Sequence, residues 1–220
     1  MDSNISTRMI KSHNVAILDY GMGNVSSVYN AFSYIGASPF VTSDQKQILS
    51  SDALIIPGVG SFYQAYSNLK SLDLITFLHH VILVKKMKVF GICLGMQMLC
   101  LSSQEDQYSP GLGLIPGEIS SFSSFTNKPT QIPHIGFNSV TPRSNNSILY
   151  SSLSTPIDFY FVHSFCLPSI EMAQHCCLGL TTYGDPFIAS YEYENIFATQ
   201  YHPEKSQTNG LSVLQNFLMG

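Results

Sequence analysis

The chain has 220 residues, 45% of them hydrophobic and only 11% charged, with a formal net charge of −4. That length fits one domain with a substantial core, and the slight acidity leaves no basic footprint for nucleic acid. No run approaches the ~18 consecutive apolar residues of a bilayer-spanning helix, so no membrane association is expected.

Residues 1–13, "MDSNISTRMIKSH", lack the apolar stretch of a secretory signal and are expected to form a disordered leader before a domain over 14–220. "NVAILDY" (14–20) is a buried strand ending at Gly21. "NVSSVYNAFSYIG" has helical spacing, with Asn24 as cap and Gly36 as stop. Strands follow at "SPFVTS" and "DALIIPG", then a helix over 62–84 broken near Ser71, a strand at "KVFGI" and a short helix in "LGMQMLCLS". Strand-helix alternation with continuously apolar strands indicates a parallel sheet covered on both faces. The second half differs, with strand-like pieces at "QIPHIGFNSV", "PIDFYFVHSF", "CCLGLTTY", "FIASYEY" and "IFATQYH" before a final helix, "GLSVLQNFLMG". The expected fold class is therefore α/β: an open, mainly parallel sheet with helices on both faces and added antiparallel strands.

The five cysteines are odd in number and lack a framework spacing, which indicates a reducing, cytoplasmic compartment. The low proportion of charge suggests that a partner covers part of the surface.

Cys93 stands apart, in "VFGICLGMQML" at a strand-to-helix junction with glycines two residues to either side. This is the cysteine form of a nucleophile elbow, although a buried thiol in a Gly-flanked turn has the same pattern. The following helix points its N-terminus at the sulfur, and the Leu94 N–H is placed to bind an oxyanion. A thiolate needs a proton partner. Among seven histidines, His79 and His80 are expected at the surface of a helix, and His175 beside Cys176-Cys177 lacks further metal ligands. His202, in "FATQYHPEKS", has Glu204 two residues on, able to fix the tautomer of the ring as the third member of a triad does. "PGVG" (57–60) ends a strand, either as an ordinary turn or as a source of oxyanion-binding amides.

Taken together and in order, "DYGMGN", "PGVG", "GICLGMQ", "GLGLIPGEI", "PHIGFN", "YFVHSF" and "QYHPEKS" resemble the triad-type, class I glutamine amidotransferases (a flavodoxin-like fold), and within them the glutaminase subunit of imidazole glycerol phosphate synthase. The resemblance spans nearly everything from residue 14 onward. It implies Cys93 as nucleophile, His202 as base and Glu204 as orienting acid, with Gly58, Val59 and Leu94 at the oxyanion hole, of which the "PGVG" backbone is the mobile part. It also implies glutamine contacts from Gln97, Glu105, Ser164 and Phe165, and a partner face including Asn24, Pro133, His134, Phe137, Asn138 and Lys205. No metal or other cofactor is implied. The implied reaction is glutamine to glutamate plus ammonia. The implied partner is a (β/α)8-barrel cyclase that makes imidazole glycerol phosphate and an aminoimidazole carboxamide ribonucleotide in histidine biosynthesis. Phe137 stands where family members usually carry Trp, which leaves open a paralogue feeding ammonia to a surface-polysaccharide pathway. A peptidase-like thiol hydrolase and a non-catalytic docking subunit are the remaining alternatives.

Overall fold

Alternating burial on both faces builds the first strand. In β1 (Asn14–Leu18), Val15 and Ile17 pack on one side of the sheet and Ala16 and Leu18 on the other, all of them buried. Such a strand belongs between two helical layers. The computed structural model, which describes residues 13–23, 25–154, 157–169 and 176–220, has that arrangement. The expected leader, Asn24 as helix cap and His175 lie outside the described residues, His13 of the leader excepted.

After β1 come α1 (Val25–Tyr34), β2 (Ser38–Thr42), the short α2 (Gln45–Leu49) and β3 (Ala53–Ile56). The long helical stretch is divided as its sequence predicts. α3 (Phe62–Ser71) stops before Asp73, whose φ is +53°, and α4 (Leu74–His79) runs on into a π-helical turn, His80–Val84. β4 (Lys88–Ile92) and α5 (Leu94–Leu99) flank Cys93. The second half is almost all strand: β5 (Ser102–Ser103), β6 (Ser109–Pro110), β7 (Glu118–Ser121), β8 (His134–Pro142), β9 (Ile157–His163), β10 (Phe165–Pro168), β11 (Cys177–Tyr183), β12 (Asp185–Tyr193) and β13 (Ile196–Thr199). Helix α6 (Gln207–Met219) ends the fold.

The strands β2-β1-β3-β4-β13 form the parallel core, and β12 adds to it antiparallel. From β12 the sheet continues through β10 to β7, β5 and β6, while β11, β8 and β9 branch away as an antiparallel extension. The expected open α/β sheet with antiparallel additions is thus present. Helices α1 and α6 cover one face through Phe32, Val213 and Phe217; α3, α4 and α5 cover the other through Phe62, Leu69, Leu78 and Met96. Among the described residues no helix is long and apolar enough to cross a membrane.

The parallel register determines which loops meet. β1, β3, β4 and β13 are neighbours running in one direction, so the loops leaving their carboxyl ends are adjacent. Those loops carry Tyr20, Pro57–Gly60, Cys93 and His202.

Candidate active site

Cys93 leaves β4 with φ +54° and ψ −109°, a backbone setting that non-glycine residues rarely adopt and that clusters at functional sites. Its two glycines are required by packing. A Cβ on Gly95 would lie 1.7 Å from the Ile56 carbonyl oxygen, and one on Gly91 would lie 2.9 Å from the Gly95 carbonyl carbon. The elbow therefore turns sharply because its neighbours touch backbone to backbone. The Cys93 N–H donates to the Thr199 carbonyl at 2.7 Å, tying the elbow to the end of β13.

Three residues beyond Thr199, His202 is held by its own N–H on the Tyr160 carbonyl (2.9 Å) and by Ser206 Oγ donating to its carbonyl (2.6 Å). Its Nδ1 donates to Glu204 Oε1 at 2.8 Å, and the side chains of both residues are almost wholly buried. That bond leaves Nε2 to serve Cys93. Burial opposes the imidazolium, but the Cys93 thiolate and then Glu204 favour it more strongly, and His202 is pushed up to about 10. A thiolate–imidazolium pair oriented by a carboxylate can attack a carbonyl carbon and then deliver a proton to the leaving group.

A cavity of about 220 Å³ opens over the thiol. Its lining includes Cys93, Leu94, Val59, Gln97, Glu105, Ser164 and Phe165, residues that the resemblance assigns to the site, and also His163, but neither Gly58 nor His202. Gln97 donates Nε2 to the Phe165 carbonyl (2.8 Å) and to Gln200 Oε1 (3.0 Å). Glu105 Oε2 accepts from the Phe62 N–H at 2.9 Å; burial raises its carboxyl, and that hydrogen bond works in the opposite direction. A carboxylate at the rim of so small a cavity can hold a substrate ammonium.

Some expectations need correction. The amides assigned to the oxyanion hole are engaged in this conformation: Leu94 N–H donates to the Gly58 carbonyl (3.3 Å) and Val59 N–H to the Met22 carbonyl (3.2 Å). The Gly58–Val59 peptide turns its carbonyl, not its N–H, toward the elbow. His134 is not a partner-facing side chain, because it is only 3% exposed, its ring stacked 4.0 Å from Tyr183 and 4.8 Å from Phe161. Pleating of β8 sends it inward and exposes Ile135. Asn138 is half-buried and donates to the Thr182 carbonyl at 3.0 Å, so it anchors β8 to β11. Pro133, Phe137 and Lys205 are exposed; Asn24 lies outside the described residues. His79 also departs from its expected place, half-buried with Nε2 2.6 Å from the Leu112 carbonyl oxygen.

Sequence reasoning missed Gln200, whose Nε2 donates to Cys93 Sγ at 3.6 Å. Its position at the head of "QYHPEKS" was the available signal. It missed His163 too, buried with Nδ1 on the Phe165 carbonyl at 2.8 Å and pushed down to about 3, chiefly by burial. All five cysteines are free thiols. Among the described residues no His, Cys, Asp and Glu side chains group as a metal site.

Against known proteins, the family model for class-I glutamine amidotransferases matches residues 16–220. The chain is 41% identical over 203 residues to imidazole glycerol phosphate synthase subunit HisH 1 of Campylobacter jejuni subsp. jejuni serotype O:23/36 (strain 81-176), covering 92% of this chain and 98% of that one. It is 42% identical over 205 residues to subunit HisH 2 of Vibrio vulnificus (strain YJ016), covering 93% of each. Among solved structures, PurLQS from Thermotoga maritima superposes with a TM-score of 0.70 at 18% identity, over 94% of this chain and 98% of that one. The glutaminase domain of Trypanosoma brucei CTPS with bound acivicin gives 0.66 at 16% identity, over 94% of each chain. The structural likenesses concern the fold.

Proposed function

The chain belongs to the class-I glutamine amidotransferases, and we propose that it is the glutaminase subunit of an imidazole glycerol phosphate synthase, passing ammonia to a (β/α)8-barrel cyclase in histidine biosynthesis. Identity above 40% across more than nine-tenths of HisH subunits from two organisms supports the subunit assignment. The observation that carries the chemistry is the buried 2.8 Å His202–Glu204 bond together with a cysteine at a strained elbow, whose thiol lines a cavity that also contains Glu105.

Glutamine enters with its ammonium toward Glu105 and its side-chain amide over Cys93. The thiolate attacks the amide carbon, forming a C–S bond and an oxyanion. As the C–N bond breaks, His202 gives its proton to the departing nitrogen, releasing ammonia and leaving a γ-glutamyl thioester. Water, deprotonated by His202, attacks the thioester; glutamate leaves and the thiolate is restored. The oxyanion needs donors, and in the described conformation both candidate amides are engaged. Rotation of the Gly58–Val59 peptide frees Leu94 N–H and turns Val59 N–H into the cavity. Docking of the cyclase against the exposed face around Pro133, Phe137 and Lys205 is what favours the rotated form, so that glutamine is spent only where ammonia is received. The free thiols suit a reducing cytoplasm.

Reconstitution with the barrel subunit of the same organism tests the reading. Glutamine-dependent turnover of the histidine-pathway ribonucleotide is expected. Glutamate release without that turnover would instead assign the ammonia to another acceptor, such as a sugar in a surface-polysaccharide pathway.

A further inference from the structure

Tyr20 takes no part in the glutaminase steps, yet its side chain packs against the Pro57–Gly58 segment on which the oxyanion site depends. It follows β1, and its loop neighbours those that follow β3 and β4. Only 2% of it is exposed, and its hydroxyl donates to the Pro57 carbonyl at 2.8 Å. A Cβ built on Gly58 would lie 2.5 Å from that hydroxyl and 3.0 Å from Leu94 Cβ, so Tyr20, Gly58 and the elbow meet with no space to spare. The Tyr20 backbone is fixed in turn by Asn68 Nδ2, which donates to its carbonyl at 2.9 Å. Burial, and then the nearby Cys93, push the phenol well above the usual tyrosine range, so it remains a hydrogen-bond donor at any working pH.

We propose that Tyr20 is a positioning residue for the oxyanion site: its hydroxyl immobilises the Pro57–Gly58 peptide, confining rearrangement to the Gly58–Val59 peptide and setting where the Val59 N–H comes to rest beside Leu94. The inference rests on the glutaminase reading. The proline ring fixes φ at Pro57, and the hydroxyl bond holds the carbonyl that comes after it. The soft torsions that remain are those around Gly58, where the absence of a Cβ permits rotation. Without the Tyr20 hydroxyl the pivot itself moves, and both amides reach the oxyanion less accurately. Loss of one oxyanion donor costs about 10²–10³-fold in turnover, and a misplaced one costs part of that.

The test is Tyr20→Phe, in complex with the barrel subunit. The kcat for glutamate formation is expected to fall by about tenfold or more, with KM for glutamine within about twofold, because the oxyanion exists only along the reaction path. Alkylation of Cys93 by iodoacetamide is a substitution at saturated carbon with no oxyanion, and its rate should stay within about twofold. 4-Fluorophenylalanine at position 20 fills the hydroxyl's space without donating and should show the same loss if the smaller ring fails to fold. 4-Aminophenylalanine, which donates from the same place, should recover most of the kcat. Turnover unchanged in both non-donor variants, or alkylation falling in step with kcat, would overturn the inference. A wild-type complex that releases no glutamate would overturn the glutaminase reading itself.

Discussion

The N–H of Leu94 donates to the carbonyl of Gly58 at 3.3 Å, so the elbow and the neighbouring strand end satisfy each other where an oxyanion would need their donors. A site with its nucleophile and base in place and its oxyanion donors engaged binds substrate but turns it over slowly. Adding the barrel subunit should therefore raise kcat for glutamine by about 10²–10³-fold while changing KM far less. Steady-state glutamate formation with and without the partner measures this, and an effect confined to KM would be inconsistent with it.

Replacing Gly95 by Ala would put a methyl group 1.7 Å from the Ile56 carbonyl oxygen, a fixed backbone atom. Overpacking of this kind typically costs about 1–3 kcal/mol. Denaturant unfolding should show at least that loss, together with a fall in glutaminase activity as the elbow shifts. A fully stable Gly95→Ala protein would mean that β3 and the elbow are not in backbone contact.

Glu105 should govern binding more than chemistry. Exchanging it for Gln keeps an acceptor for the Phe62 N–H but removes the charge proposed to hold the substrate ammonium. A lost charged hydrogen bond is worth about 1.5–3 kcal/mol, so KM for glutamine should rise by about 10–100-fold with kcat largely kept. Burial raises the Glu105 carboxyl, so wild-type KM should also rise as pH falls through that raised value. A loss in kcat alone would place the substrate ammonium elsewhere.

Stability should peak between two opposing histidine effects. Burial pushes His134 down to about 4 and His163 to about 3, so the unfolded chain binds more protons below the ordinary histidine value of ~6.5. Their contribution is complete above that value and is lost as pH falls toward 3. His202 has the opposite sign. Raised to about 10, it contributes fully below ~6.5 and loses that contribution as pH rises through its folded value. His134→Gln should flatten the acid limb of the stability curve by about 1.4 kcal/mol per pH unit, while His202→Asn should flatten the alkaline limb. Unchanged slopes would contradict the assigned burial.

Much of this was legible in the chain itself, because the strongest signals there are local. Apolar runs such as "ALII" (53–56) and "VFGI" (89–92) have one stable setting, between helical layers, and the glycines around Cys93 mark a close backbone approach that no side chain allows. Other features depend on long-range geometry. β5 and β6 are two residues each and carry no periodicity. Whether His134 faces a partner or the interior turns on the pleat of β8 and on Tyr183 nearly fifty residues away. The use of Leu94 N–H by Gly58 depends on the orientation of one peptide, which spacing does not encode. Gln200 reaches Cys93 only because β13 lies beside β4, a neighbourhood that its place in "QYHPEKS" does not itself encode.

The most direct test of the proposed chemistry is glutamate release by the complex with the barrel subunit, compared between the wild-type chain and Cys93→Ala, in which the other four cysteines remain. Release from glutamine should fall to background in the variant while the two subunits still associate. Glutamate release by Cys93→Ala at the wild-type rate would contradict the assignment of Cys93 as the nucleophile.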